Sequence, residues 1–188
     1  MRDAQWIATL LRAGLLKGSF IPDKTFRELR HLTRYRKSIV HDITAQKNRI
    51  DKFLQSSGFR FTAFLSDAFG ASGRNIIRHL MKHGNISREA LDRCLKTQTR
   101  KRIDEILVAL NGSLSEHQRG FLRMIFGHLE ALEQHRHTVE DAITKEITKH
   151  EEALSLLCSI PGIDVTAAAA IIAEIGTDMS AFPDSQHI

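Results

Sequence analysis

Eight positions between Leu29 and Phe53 constrain this chain most. Leu29, Leu32, Arg36, Ile39, Ile43, Gln46, Ile50 and Phe53 alternate steps of three and four. That is the spacing of a helix that buries one continuous seam, here with polar interruptions. It predicts a helix from about residue 22 to 55, opened by Pro22 or Asp23 and closed by Ser56, Ser57 and Gly58. A second seam follows at Leu122, Ile125, Leu129, Leu132, Arg136, Val139 and Ile143, with Ile147 beside the next position. It belongs to a helix capped by Ser115 that runs to about His150. Two such helices can pair with each other or with copies in another chain, and the pattern does not choose. Because the seams look too long for a compact globule, self-association through them is expected.

The composition agrees with helices. Of 188 residues, 42% are hydrophobic, enough for a core, but only 6% are aromatic and 3 are proline, which disfavours a β-sandwich. The fold class read here is all-α: long antiparallel or coiled-coil helices followed by a helical hairpin. No window of ~18 uncharged apolar residues is present, so no membrane partner is expected. The N-terminus is a poor signal peptide. Cys94 and Cys158 lack metal-type spacing and read as free thiols in a reducing, cytoplasmic setting.

Charge is organised along the first long helix. Arg27, Arg30, Arg34, Lys37 and His41 fall within roughly one quadrant at 100° per residue, on the face away from the seam. With a net charge of +5, this stripe is a candidate contact for a nucleic-acid backbone. It would equally keep a long helix soluble. The later helix carries mixed charges, read as a solvated face. Between the two helices, "FGASGR" (Phe69 to Arg74) reads as a loop without phosphate-loop spacing, and Ser87 as a helix cap.

The C-terminal part is a compact apolar unit. Leu154, Leu156, Leu157 and Ile160 end a short helix, Pro161 and Gly162 turn the chain, and Gly162 suits a positive φ. Asp164 is placed to cap the next helix through the amides near Thr166 and Ala167, and Gly176 stops it. Ala167 to Ala170 allow close packing, with Ile171, Ile172 and Ile175 as apolar contacts. The unit resembles the helix-hairpin-helix DNA-binding motif, in which hairpin amides hold a backbone phosphate. The resemblance makes Pro161, Gly162 and Ile163 candidate nucleic-acid contacts. Asp164 stands where that motif usually has a second glycine, and a carboxylate there repels phosphate.

Five segments in order carry a wider resemblance: "RDAQWIATLLRAGLL" from Arg2, "SFIPDKTFRELRHLTRYR" from Ser19, "KNRI" from Lys47, "SDAFGASGR" from Ser66 and "IPGIDVTAAAAIIAEIG" from Ile160. Together they resemble the DEDD-type insertion-sequence transposases, which include pilin-gene invertases and RNA-guided recombinases. The resemblance implies a ribonuclease-H-like domain with four acidic residues, a helical coiled-coil region and a C-terminal domain with a nucleophilic serine. Asp3 matches the last acid of the catalytic set, which would bind Mg²⁺ only with acids that lie upstream of Met1 in the family. Ser155, Ser159, Ser180 and Ser185 do not match the serine.

These correspondences imply three parts: 1–17 as the end of the ribonuclease-H-like domain, 18–153 as the helical coiled-coil region, and 154–188 as the start of the transposase domain. The function read is a fragment of a DNA transposase or site-specific recombinase, truncated at both ends. Its family acts with Mg²⁺, but this chain alone is expected to need no cofactor and to be inactive. DNA is the expected partner, with a structured guide RNA and a second copy of the chain as further ones. The alternative is a non-catalytic helical module that binds nucleic acid or only assembles.

Overall fold

A computed structural model describes residues 2–16 and 23–182. The expected break before Pro22, Pro22 itself as helix opener, and Ser185 lie outside the described residues. All described regular structure is helical: α1 (Arg2–Arg12), α2 (Lys24–Ser56), α3 (Ala71–His83), α4 (Arg88–Cys94), α5 (Thr97–Arg100), α6 (Ile103–Ala109), α7 (Glu116–Ile147), α8 (Glu151–Cys158) and α9 (Val165–Ile175), with short 3₁₀ turns between. The chain divides into two compact units. One holds Met1–Arg34 and Asp141–Ile188, the other Tyr35–Glu140.

In the unit Tyr35–Glu140 the two seams fill each other. Ile39, Ile43 and Ile50 of α2 and Leu122, Ile125, Leu129 and Val139 of α7 are buried. Contacts run in opposite directions along the two helices. Tyr35 meets His135 with ring centroids 5.6 Å apart, Gln46 meets Ile125, and Phe53 meets Phe121 at 5.1 Å. The pair is therefore antiparallel and made within one chain. Self-association was expected because the seams seemed too long to bury internally, and this packing removes that ground. Gln46, 1% exposed, is the polar interruption: its side-chain amide donates to the Ile125 carbonyl at 2.6 Å. A buried amide that has found its partner fixes the register of the two helices.

Local signals hold here. The Ser87 hydroxyl accepts from the Ala90 amide at 3.3 Å. Ser115 and Gln118 cap each other's amides at 3.2 and 2.9 Å, a reciprocal box that starts α7. One expectation fails. Phe69 to Arg74 is not a loop throughout, because α3 already begins at Ala71. Gly73 sits inside that helix because Ala68 crosses over it: a Cβ on Gly73 would lie 1.9 Å from the Ala68 carbonyl oxygen. Close approach, and not a turn, is what requires this glycine.

In the other unit the buried side chains are Leu29 of α2, Ile143 and Ile147 of α7, and Ala168, Ala169, Ile172 and Ala173 of α9. The alanines let α9 approach closely, as its sequence predicts. Phe26 stacks on His150 with centroids 4.8 Å apart. Helix α1 presents Trp6, Ile7 and Leu11 to solvent. Cys94 and Cys158 are unpaired thiols.

Candidate nucleic-acid interface

The hairpin between α8 and α9 is closed by the Ile163 amide donating to the Ile160 carbonyl at 3.1 Å. Pro161 and Gly162 occupy the turn, with Gly162 at φ 91°, the type II arrangement that a Pro-Gly pair favours. Pro161 and Gly162 are exposed and Ile163 is half-buried. The Asp164 carboxylate accepts from the Ala167 amide at 2.7 Å. It caps α9 as expected, and so brings a negative charge to the helix end where an anion would otherwise sit. We expect Asp164→Ala to lower the unfolding free energy by about 1 kcal/mol. Urea denaturation followed by circular dichroism measures this, and a change within noise would refute the capping role.

The other end of α9 meets α2. The last carbonyls of a helix lack intrahelical partners and carry the negative end of its dipole. Arg30 supplies the donors. Its Nε lies 3.2 Å from the Ala173 carbonyl oxygen, and its Nη2 donates to the Glu174 carbonyl at 2.7 Å. The same Nε lies 2.9 Å from a Glu174 carboxylate oxygen. Arg34 completes the clasp with a fork, Nε and Nη2 donating to the two Glu174 oxygens at 2.9 and 3.0 Å. The hydrogen-bonded fork of Arg34 holds the Glu174 carboxyl below its ordinary 4.5. The charges of Arg30 and Arg34 help, and desolvation opposes. Glu174 in turn pushes the Arg34 guanidinium up.

Four of the five stripe residues thus differ in their surroundings. Arg30 is mostly covered, with 24% of its side chain exposed, and it holds α9. Arg34 is 67% exposed but ion-paired. Arg27 and Lys37 are exposed, and neither has an ion-pair partner among the described residues. Arg27 shares the compact unit of Arg30, Arg34 and the hairpin, whereas Lys37 belongs to the other unit. The sequence placed Arg30 and Arg34 on a face with no packing duty, and the structure gives both a partner there. Glu174 was missed. Its only sequence signal is a single acid near the end of an otherwise apolar helix, and nothing local says which cation it meets.

Asp3 is exposed in the first turn of α1. Among the described residues no group of three or more His, Cys, Asp or Glu side chains converges on a common point. Mg²⁺ takes one or two carboxylates together with other oxygen ligands. Asp3 by itself does not supply such a site.

Comparison with known families gives two matches. Residues 1–58 match the DEDD-type transposase family of the IS110 group, described as "Transposase". Residues 154–188 match the "Transposase IS116/IS110/IS902 family". No curated protein and no solved structure matches the chain. Both matched families are transposases. The two matched stretches are similar to DEDD-type insertion-sequence transposases, the family the sequence segments resemble, and the second match contains the hairpin and α9. No described helix is long and apolar enough to cross a membrane.

Proposed function

We propose that this chain serves DNA transposition by binding the backbone of DNA. The contacts are Arg27, Arg30, Arg34 and Lys37 on α2, and Pro161, Gly162 and Ile163 at a helix-hairpin-helix-like turn. One observation carries this reading: within a single compact unit, the arginine stripe of α2 is bonded to the α9 helix that the hairpin opens. Phosphate contacts of this type position a nucleic acid without reading its sequence. The arginines are the main donors, because Asp164 already fills the amide at the start of α9. Asp3 is assigned to the acidic, Mg²⁺-binding set of its family and acts only together with acids from elsewhere in such a protein.

Arg27 and Lys37 test the contact cleanly, since neither carries an ion pair that folding needs. Replacing both by glutamine should weaken binding to every duplex sequence alike. It should also flatten the dependence of log affinity on log salt by about two, one counterion per phosphate lost. Titration of a labelled duplex, and of a structured RNA, at several salt concentrations measures this. An unchanged slope would leave the stripe as a solvated face.

A guide RNA presents the same phosphate chemistry, so the RNA arm reports whether it competes as partner. Pairing of two copies through the seams would require α2 and α7 to open and exchange. Sedimentation over a dilution series detects such a dimer.

A further inference from the structure

We propose that Glu174 is a built-in competitor for the nucleic-acid backbone: its carboxylate holds the guanidinium fork of Arg34 until a DNA phosphate takes its place. This rests on the backbone-binding role of the stripe and adds its regulation. A guanidinium fork accepts a carboxylate and a phosphate with the same two parallel hydrogen bonds. Glu174 therefore occupies the donors that a phosphate would use.

The two arginines are not equally tied. Arg30 is anchored by the Ala173 and Glu174 carbonyls, which no ligand replaces, and is largely covered. Among the described residues the Arg34 guanidinium bonds only to the Glu174 carboxylate, and both are open to water, at 67% and 43% side-chain exposure. Exposed pairs of this kind are weak and are screened by salt. Arg34 can exchange partners while Arg30 keeps α9 in place. Arg27, one helical turn before Arg30 on the same stripe, is exposed and unpaired among the described residues. It makes the first contact and brings a phosphate within reach of the clasp. Glu174 is then displaced, and the bound chain gains one more cation toward the backbone than the free chain displays.

The test is a double-mutant cycle on the full chain: parent, Glu174→Gln, Arg34→Gln, and both together. Binding of a labelled duplex is read by fluorescence anisotropy at several salt concentrations. Glu174→Gln keeps the backbone carbonyls that Arg30 holds, so α9 stays docked, and circular dichroism verifies it. We expect Glu174→Gln to bind about fivefold tighter, with little change in salt slope, because Arg34 neutralises the same phosphate in both complexes. That gain should vanish in the Arg34→Gln background. Glu174→Asp keeps the charge but is too short to span the fork. It should fall between parent and Glu174→Gln, and it carries the test if the glutamine variant fails to fold.

Equal or weaker binding by Glu174→Gln, while the parent binds, would overturn the competitor role and leave the backbone reading intact. A gain that persists without Arg34 would overturn it too, reducing Glu174 to one general negative charge. Absence of duplex binding by every protein in the set would overturn the backbone reading itself, and the competitor with it.

Discussion

Gly73→Ala should destabilise the Tyr35–Glu140 unit by about 3 kcal/mol or more, the upper range for forcing an extra methyl into packed structure. Alanine by itself favours a helix interior over glycine by about 1 kcal/mol, so a stabilising effect would be the default expectation. The clash reverses the sign. The new Cβ would meet the Ala68 carbonyl oxygen at 1.9 Å and its carbon at 2.6 Å. The loop cannot simply retreat, because it is pinned on several sides. The Asp67 carboxylate accepts from the Phe69 amide at 2.9 Å, and Arg74 donates to the Phe69 carbonyl at 2.6 Å while also gripping Glu133. The Ser72 hydroxyl holds the Lys96 amide at 3.0 Å. Far-UV circular dichroism in urea reads the loss. A midpoint equal to the parent's, or higher, would show that the crossing of Ala68 over α3 is not as tight as described.

Arg30→Glu should release the end of α9, at a cost of about 2 kcal/mol. Two carbonyls lose their donor at once, those of Ala173 and Glu174, and the Glu174 carboxylate is left with Arg34 alone. A carboxylate also arrives beside the negative end of the helix. Hydrogen exchange followed by mass spectrometry should show faster exchange over residues 165–176, and unchanged protection there would contradict the clasp. Arg30→Lys keeps the charge but not the fork, and should fall between. The clasp also sets a pH dependence. The Glu174 carboxyl titrates below 4.5 in the folded chain. Its contribution is therefore complete at neutral pH and is lost as pH falls below 4.5 through that lowered value. In Arg30→Glu this acid-side dependence should shrink.

Much of the molecule was legible before folding, for reasons that are local. The three-four spacing of Leu29 to Phe53 and of Leu122 to Ile147 depends only on helical periodicity. Most of those positions are buried, with Leu32, Arg36, Phe53, Leu132 and Arg136 partly covered. The caps at Ser87, Ser115 and Asp164 and the turn at Gly162 involve residues a few positions apart. The transposase relationship was likewise carried by short segments in order.

Tertiary structure alone decided the rest. The seam pattern is the same whether the helices close on each other or on a second copy, and only the observed pairing of Gln46 with Ile125 and of Phe53 with Phe121 settles it for this chain. Gly73 read as a loop residue because glycine lowers helix propensity, and the carbonyl that demands it comes from a loop that must first fold over the helix. Arg30 and Arg34 read as unengaged because helical geometry places them opposite the seam. Their partner Glu174 lies 140 positions beyond Arg34 in the chain, at the end of a helix whose alanines Ala168, Ala169 and Ala173 are buried. The sequence by itself determined which residues share a face. Which faces meet depended on long-range packing, and that decided whether each cation was held by the fold or left for a ligand.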